Sequence, residues 1–572
     1  MPQPLRPVVA TAAIALVLCS GSAIAQAVPQ APAADPTVER TFGNEGEPGS
    51  FYVQFDRRGG GVFLVQLMDH WRSVEARAQT PHEPDDYMLL VYNGSNDALR
   101  LEETGSSHRF PQNLLVAEWR YQETSDAATF TIDSGDGLTL RRTLRHDPAA
   151  RGFVLELGLA NTGTDGGGQV ALQLRGPALA NPAHTTLVGN SSIAIAATNA
   201  GATEHKTPAA GKLQPFSEID VRDLAFAGNT SRFFGAFVYP RNEVAGRVLT
   251  GLAAATGPSQ PFPADVSDTK PNSVVQMLYD LALPIPARGE ETVAEFGLYL
   301  GPKSYGVFDT LPAPLQDRFD PVLDVDLSGG CCFEIPGARQ MAYLLLSLLG
   351  WFHDFVGNWG LAIIMLTILV RGLLAPLNFR MQKSMRVYSS KMAVLKPKLD
   401  KLKEQYADDP KAYQQAMYAF QREHKIIPPI GGCLPIFLTM PVYIGLFTAL
   451  RTAYDLRQQP FVGWIQDLSL SDSFVALGFW PHVLNLLPLV WMGLFLFMSL
   501  RQPLPTDPQQ RQIQSIMRLM PLMMGVMLYG YASALLLYMV TSMLWSLGES
   551  AVIKRILGPV DPNVASMTPT PM

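Results

Sequence analysis

Asn358 to Arg380 reads NWGLAIIMLTILVRGLLAPLNFR. The first two-thirds are apolar enough to cross a bilayer, yet Arg371 sits within the run, where a guanidinium costs about 2.5 to 3.5 kcal/mol on insertion scales. At 100° per residue, Thr367, Arg371 and Asn378 project within roughly 40° of one another, one polar stripe on an otherwise apolar helix. A stripe of this kind can face a water-accessible groove whose positive charge meets something acidic. Alternatively, Arg371 snorkels along the helix toward the headgroups, about 10 Å away at the level of Asn378. The segment alone leaves both readings open.

Around this stretch the 572-residue chain divides in two. Beyond about residue 338 it is rich in Leu, Met and Phe, with long uncharged runs; before that it is polar, Gly-rich and broken by turn residues, as a soluble β domain would be. The net charge of −6 averages two differently charged halves and says little about partners. Four cysteines, Cys19, Cys331, Cys332 and Cys433, are too few for a disulfide framework. No Cys/His cluster has metal-ligand spacing, and no Gly-rich phosphate loop appears. Adjacent Cys331 and Cys332 are expected to be structural or free. No metal, cofactor or catalytic residue is expected, and the chain is not read as an enzyme.

Arg6, an apolar run from Val8 to Leu18 and Ser22-Ala23-Ile24-Ala25 read as a signal peptide cleaved after Ala25, or as a first membrane anchor over 1–27. An Ala/Pro-rich linker follows over 28–39. From 40 to 335 short alternating runs, such as Phe51 to Phe55, Leu138 to Leu144 and Phe153 to Leu157, predict a large β sandwich. Its histidines are scattered between turns, so a binding or scaffolding role is favoured over an enzyme site. Residues 338–355 are apolar but short of a span and are expected to lie on the outer membrane surface.

The span over 356–379 leads into a helical hairpin over 380–428. Met385, Tyr388, Met392, Leu395, Leu399, Leu402 and Tyr406 form a heptad seam. Asp409 is expected as the N-cap of a second helix starting at Pro410, and Pro397 is expected to kink the first helix or restart it. Phe379 to Pro428 holds eleven basic and five acidic residues, a net of +6 that predicts a cytoplasmic position. Lys383, Arg386, Lys391, Lys396, Lys398, Lys401 and Lys403 are its candidate recruiting residues, a basic arm for anionic lipid, ribosomal RNA or acidic nascent chain.

Further spans are predicted over 430–450, 482–500, 516–530 and 533–554. An outer loop is expected over 451–481, an inner loop over 501–515 and an inner tail over 555–572. On the last span Tyr538, Ser542, Trp545 and Glu549 follow i, i+4, i+7 and i+11, a second polar face. Such faces can also be plain interhelical hydrogen-bond seams. Glu549 is expected at a depth similar to Arg371, as its resting counter-ion.

Gly357-Asn358-Trp359-Gly360, Val370-Arg371-Gly372, Pro429 to Pro435, Thr506-Asp507-Pro508 and Leu537-Tyr538, in that order, resemble the YidC/Oxa/Alb family of membrane protein insertases in its bacterial form. Arg57-Arg58-Gly59-Gly60 and Leu298 to Lys303 extend the resemblance into the soluble half. It implies a polytopic α-helical membrane protein with a five-helix core, an N-terminal signal or anchor, and a large periplasmic all-β supersandwich related to mutarotase folds. It implies a groove open to cytoplasm and lipid, in which Arg371 receives the hydrophilic part of a client, with Thr367 and Tyr538 at other groove positions. Asn378, Ser542 and Glu549 join the candidate substrate-binding groove through the two polar stripes. Implied partners are nascent membrane proteins, membrane lipids, components of the Sec translocon and, through the hairpin, the ribosome and the signal recognition particle receptor. The implied location is the bacterial inner membrane.

The chain departs from the family pattern at Met539, where many relatives carry a second aromatic, and at Gly530 to Ala534, which replaces a Pro-containing turn. Gly558 to Met572 carries no basic tail, so ribosome docking would fall to the hairpin. A small-solute transporter would predict inverted repeats, and none is seen. A tethered carbohydrate binder would predict ligand affinity in the soluble domain alone.

Overall fold

The computed structural model describes residues 38–92, 98–104, 109–110, 113–163, 166–179, 192–198, 202–205, 212–258, 273–328, 338–406, 410–423, 430–477, 483–501, 518, 520 and 522–557. The leader, the linker up to residue 37, Cys331-Cys332, Asp408-Asp409, the Thr506-Asp507-Pro508 motif and the tail beyond 557 lie outside the described residues.

Alternating runs become strands wherever one face can be buried. Leu138–Asp147 shows the rule: Leu138, Leu140, Arg142 and Leu144 all point inward. It lies in a nine-stranded sheet ordered Ala202–His205, Ser192–Ala197, Leu224–Thr230, Phe234–Pro240, Glu291–Pro302, Gly152–Asn161, Leu138–Asp147, Ala127–Asp133 and Arg120–Glu123. A five-stranded sheet and a four-stranded sheet contribute to the same apolar core, and the pairings described are antiparallel. The domain is therefore β-sheet-rich and built like a sandwich.

Arg142 is the exception to apolar-inside. Its guanidinium lies 4.7 Å from the Phe130 ring centroid and 5.7 Å from that of Trp119, and it donates to the Leu99 carbonyl. Gly60, with φ +57°, lets the backbone pass: a Cβ there would stand 2.9 Å from Arg142 Nη2. The Arg-Arg-Gly-Gly motif thus seats a buried cation over aromatic faces.

The sequence reading missed a helix at the end of this domain, α4 (Ala313–Ser328), which follows the short helices α1 (Val74–Ala78), α2 (Glu243–Val248) and α3 (Tyr305–Phe308). Phe319 fastens α4 to the sheet, with its ring 5.6 Å from Phe237 and 5.0 Å from Tyr299. Then come α5 (Ala338–Val356), α6 (Trp359–Gln405), α7 (Pro410–Glu423), α8 (Ile430–Thr452), α9 (Leu486–Leu500), a helical stretch α10 over 522–527, and α11 (Ser533–Leu557).

The helices bear on two expectations. Helix α6 runs unbroken through Pro376 and Pro397, so Pro397 does not restart it. Two missing backbone hydrogen bonds, one per proline, in a 47-residue helix are outweighed by the turns on either side. Where a span is expected from 482, the helix begins at Leu486: Val483 and Leu484 pair with Ala476 and Val475, and Asn485 occupies the N-cap position. Helix α7 covers Pro410–Glu423, and the N-cap expected at Asp409 lies outside the described residues.

Among the described residues, Trp359–Ser384 and Ser533–Ile556 are long and apolar enough to cross a membrane, and Leu486–Leu500 is a shorter apolar helix. One apolar core joins α5, α6, α8, α9, α11 and the loop after α8, through residues such as Leu345, Leu349, Ile363, Leu366, Leu446, Trp491 and Leu536. Outward, Leu373, Val490, Phe497, Val526, Leu544 and Val552 are exposed. A ring of exposed apolar side chains around an apolar core is what a lipid-facing surface looks like.

The Gly-Asn-Trp-Gly motif fixes how α6 begins. Gly357 has φ +66°. Asn358 Oδ1 accepts from Leu361 N at 3.0 Å, and its Nδ2 donates to the Phe461 carbonyl at 3.2 Å. Trp359 stacks on His353 at 4.0 Å. Gly360 leaves room for the Phe461 ring, whose nearest atom would stand 2.0 Å from an added Cβ. Gly360→Ala is therefore expected to cost about 1 to 3 kcal/mol through overpacking, measured as a lower Tm of the purified chain; an unchanged Tm would show that Phe461 moves aside freely.

The β domain is docked on the end of α8 and the loop after it. Arg232 Nε donates to the Arg451 carbonyl at 2.6 Å and its Nη1 to the Ser469 carbonyl at 3.2 Å. Burial, with the Arg451 charge beside it, pulls this guanidinium down to about 10, still protonated at neutral pH. Arg457 and Gln458 both donate to the Trp71 carbonyl, at 2.8 and 2.7 Å. Tyr454 packs among His70, Phe233 and Phe234.

Candidate functional site: a polar cleft between two helices

Helices α6 and α11 bring the two polar stripes face to face. Arg371 Nε donates to Ser542 Oγ at 2.6 Å, and Nη2 donates to the same oxygen. The guanidinium also lies 5.3 Å from the ring centroid of Tyr443 on α8. Tyr538 is buried one turn before Ser542, facing Tyr443. Thr367 is buried one turn before Arg371 and donates its hydroxyl to the Ile363 carbonyl at 2.7 Å. It thus shapes the cleft wall and spends its proton within its own helix.

Glu549 corrects the expectation of equal depth. Along α11 it lies seven residues beyond Ser542, about 10 Å toward the far end. Asn378, the same distance beyond Arg371 on α6, is within hydrogen-bonding reach of its carboxyl, while Arg371 acts on it only from a distance. Among the described residues Arg371 makes no ion pair with Glu549; its hydrogen-bonding partner is a neutral hydroxyl. Depth was misread because the register between two helices is set by packing, which neither sequence period contains.

Polar atoms are left over in this half of the cleft. Glu549 Oε1 and Trp545 Nε1 are buried without a hydrogen-bond partner. Trp545 also touches the space above Gly372, its ring 4.0 Å from where a Cβ would stand. A cleft holding a guanidinium, a carboxylate and an indole N–H with unused hydrogen-bonding capacity suits a polar guest or water. Tyr443 was missed by the sequence reading. Its signal was a hydroxyl-bearing ring just after Pro441, one helical turn beyond Thr439.

At the start of α11, the loop after α8 is tied to the helices. Ser533 N and Oγ both donate to the Leu470 carbonyl, at 2.6 and 2.7 Å, and Ala534 N donates to the Leu468 carbonyl at 2.9 Å. Asn485 Nδ2 donates to the Tyr529 carbonyl at 2.8 Å, and the Tyr529 hydroxyl donates to the Val483 carbonyl at 3.0 Å. Asp472 accepts from the first amides of α9. The loop after α8 is thus hydrogen-bonded to the starts of α9 and α11.

Of the basic hairpin residues, Lys383, Lys398 and Lys401 are exposed on α6. The side chains of Arg386, Lys391, Lys396 and Lys403 lie outside the described set. No cluster of three or more His, Cys, Asp or Glu residues with metal-binding geometry occurs among the described residues.

Residues 351–559 match the family model described as 60Kd inner membrane protein. A protein of Neisseria meningitidis serogroup C named "Membrane protein insertase YidC" is 35% identical over 282 residues, covering 49% of this chain and 46% of that protein. A protein of the same name from Pseudomonas fluorescens is 31% identical over 389 residues, covering 68% of this chain and 60% of that protein. The matches thus span about half the length of these relatives. The crystal structure titled "Active YidC insertase crystal structure with the first transmembrane domain resolved" aligns over 90% of this chain and 94% of its own, at 15% identity and a TM-score of 0.32, too low to support a conclusion. With the matched region holding both polar stripes and the motif order between them, the chain belongs to the YidC/Oxa/Alb family of membrane protein insertases.

Proposed function

We propose that this chain inserts integral membrane proteins into the bacterial inner membrane and helps them fold, alone or with the Sec translocon. The carrying observation is the cleft between α6 and α11, where Arg371 rests on Ser542 and Tyr443 while Glu549 and Trp545 keep unused polar atoms. In this reading α6, α8, α9, the stretch ending at 530 and α11 are the five spans. Helix α5 lies on the outer membrane surface, the β domain is periplasmic, and the α6–α7 hairpin is cytoplasmic.

The work is physical, with no bond made or broken. A hydrophilic client segment entering hydrocarbon faces a cost of several kcal/mol per charge. The cleft lowers that barrier by offering water and a counter-charge part-way across, and burial of the client's apolar segment in lipid drives the step to completion. The outer closure through Leu468, Leu470 and Ser533 keeps the cleft from becoming a channel. The basic hairpin gathers clients at the inner surface; the ribosome and the signal recognition particle receptor are its proposed partners there.

Glu549 enters as a competing charge near the inner mouth. About 10 Å from Arg371 along the helix axis, it weakens the field felt by an acidic client by about 1.7 kcal/mol at an effective dielectric of about 20. Glu549→Gln is therefore expected to raise insertion of an acidic client about 15-fold at limiting insertase, with an uncharged client unaffected. Equal insertion by variant and wild type would remove Glu549 from the mechanism.

A further inference from the structure

A cavity of about 370 Å³ lies where the β domain, α5, the start of α6 and the end of α8 meet. Its walls include Leu346 and Leu349 of α5 and four aromatic residues, Tyr305, Tyr343, Trp359 and Tyr454. Tyr305 and Tyr343 meet edge to face at 5.2 Å. Two charged residues line it: Lys303, almost fully buried, and Asp455, which is exposed. Nothing in the groove mechanism uses this space.

We propose that this cavity binds the phosphoethanolamine headgroup of a diacyl phospholipid, with the acyl chains running out along α5. Three observations carry this. The charges on the wall balance, one cation and one carboxylate, which suits a zwitterion; an anionic headgroup would leave Asp455 opposed by like charge. The aromatic rings offer faces to an ammonium group, with Asp455 as its counter-charge and Lys303 as the partner of the phosphate. The volume lies at the lower end of small-ligand sites, enough for a headgroup and the first acyl carbons.

The exposed outer face of α5 supplies the rest. Leu344, Trp351 and Phe355 are 54%, 63% and 76% exposed, at i, i+7 and i+11 on one face, about 100° around the helix from the buried Leu345, Leu349 and Phe352. A helix apolar on two adjacent faces, beside an aromatic-lined cavity that holds one cation and one carboxylate, fits acyl chains outside and a headgroup within. This inference rests on the reading that α5 lies at the outer membrane surface. Bound there, the lipid would brace the junction on which the β domain and the outer loop meet.

The test uses the full chain purified in detergent and native mass spectrometry with phosphatidylethanolamine, phosphatidylglycerol and phosphatidylcholine. A phosphatidylethanolamine adduct at least tenfold tighter than phosphatidylglycerol is expected. Asp455→Asn, nearly isosteric, is expected to erase that preference, and Ser347→Leu, which fills the cavity without changing charge, to abolish the tight adduct. Equal affinity for the two lipids overturns the proposal, as does a preference that survives both substitutions. Soluble glycerophosphoethanolamine competing as well as the intact lipid would show a free-headgroup site and overturn the lipid assignment. No client takes part in the readout, so it is decided independently of whether the groove inserts proteins.

Discussion

Arg371→Ala is expected to cut insertion of clients whose translocated segment is acidic by about 60- to 300-fold, and to spare clients whose translocated segment is uncharged. The size follows from the energy of a charge within a span, about 2.5 to 3.5 kcal/mol, set against about 1.4 kcal/mol per factor of ten. The selectivity follows from sign, because only an acidic segment gains from a guanidinium. Removing the side chain also leaves Ser542 without its donor and Tyr443 without the cation near its ring. Arg371→Lys is expected to fall between wild type and alanine. It keeps the charge but loses the planar fork that reaches one hydroxyl through two nitrogens. Insertion assays in inverted vesicles, with acidic and neutral versions of one client, read both results. A uniform loss across the two clients would mean that Arg371 merely holds the helices together.

Asp472→Ala is expected to destabilise the outer closure by about 3 to 5 kcal/mol. This carboxylate is only 2% exposed, and Oδ2 accepts from Leu486 N at 2.7 Å, Leu487 N at 3.0 Å and Trp464 Nε1 at 3.1 Å. It serves as an N-cap for α9 supplied from outside the helix and adds a negative charge at the positive end of the helix dipole. Losing a cap costs about 0.5 to 2 kcal/mol, and each buried donor left unsatisfied costs about 1 to 3 kcal/mol. Asp472→Asn keeps one acceptor oxygen and is expected to lose less. The Tm of the purified chain gives the first readout and dye release from proteoliposomes the second. A destabilised variant with sealed liposomes would show that the other contacts, at Ser533 and Asn485, close the outer end by themselves.

The stripe on α6 and the stripe on α11 were both legible in the sequence, because the angle between positions on one helix depends only on its period. The structure places Arg371 against Ser542 as two facing stripes require. What one helix cannot show is its offset against the next. That is why Glu549 was assigned to Arg371 and is found beside Asn378, and why Tyr443, on a third helix, went unnoticed. Strand alternation was equally legible, but not that Arg142 would occupy an inward position; its burial depends on Phe130 and Trp119 from elsewhere in the sheet and its loops. Helix α4 was hidden by Pro and Asp residues that break its apolar pattern, and it is held by packing of Phe319 on the sheet.

Depletion of this protein from cells, followed by insertion of a short client with an acidic translocated segment into vesicles made from them, tests the insertase reading most directly. Insertion is expected to fall on depletion, to return when the wild-type chain is supplied, and to stay low when Arg371→Ala is supplied at the same level. Normal insertion of every tested client into depleted vesicles would contradict it.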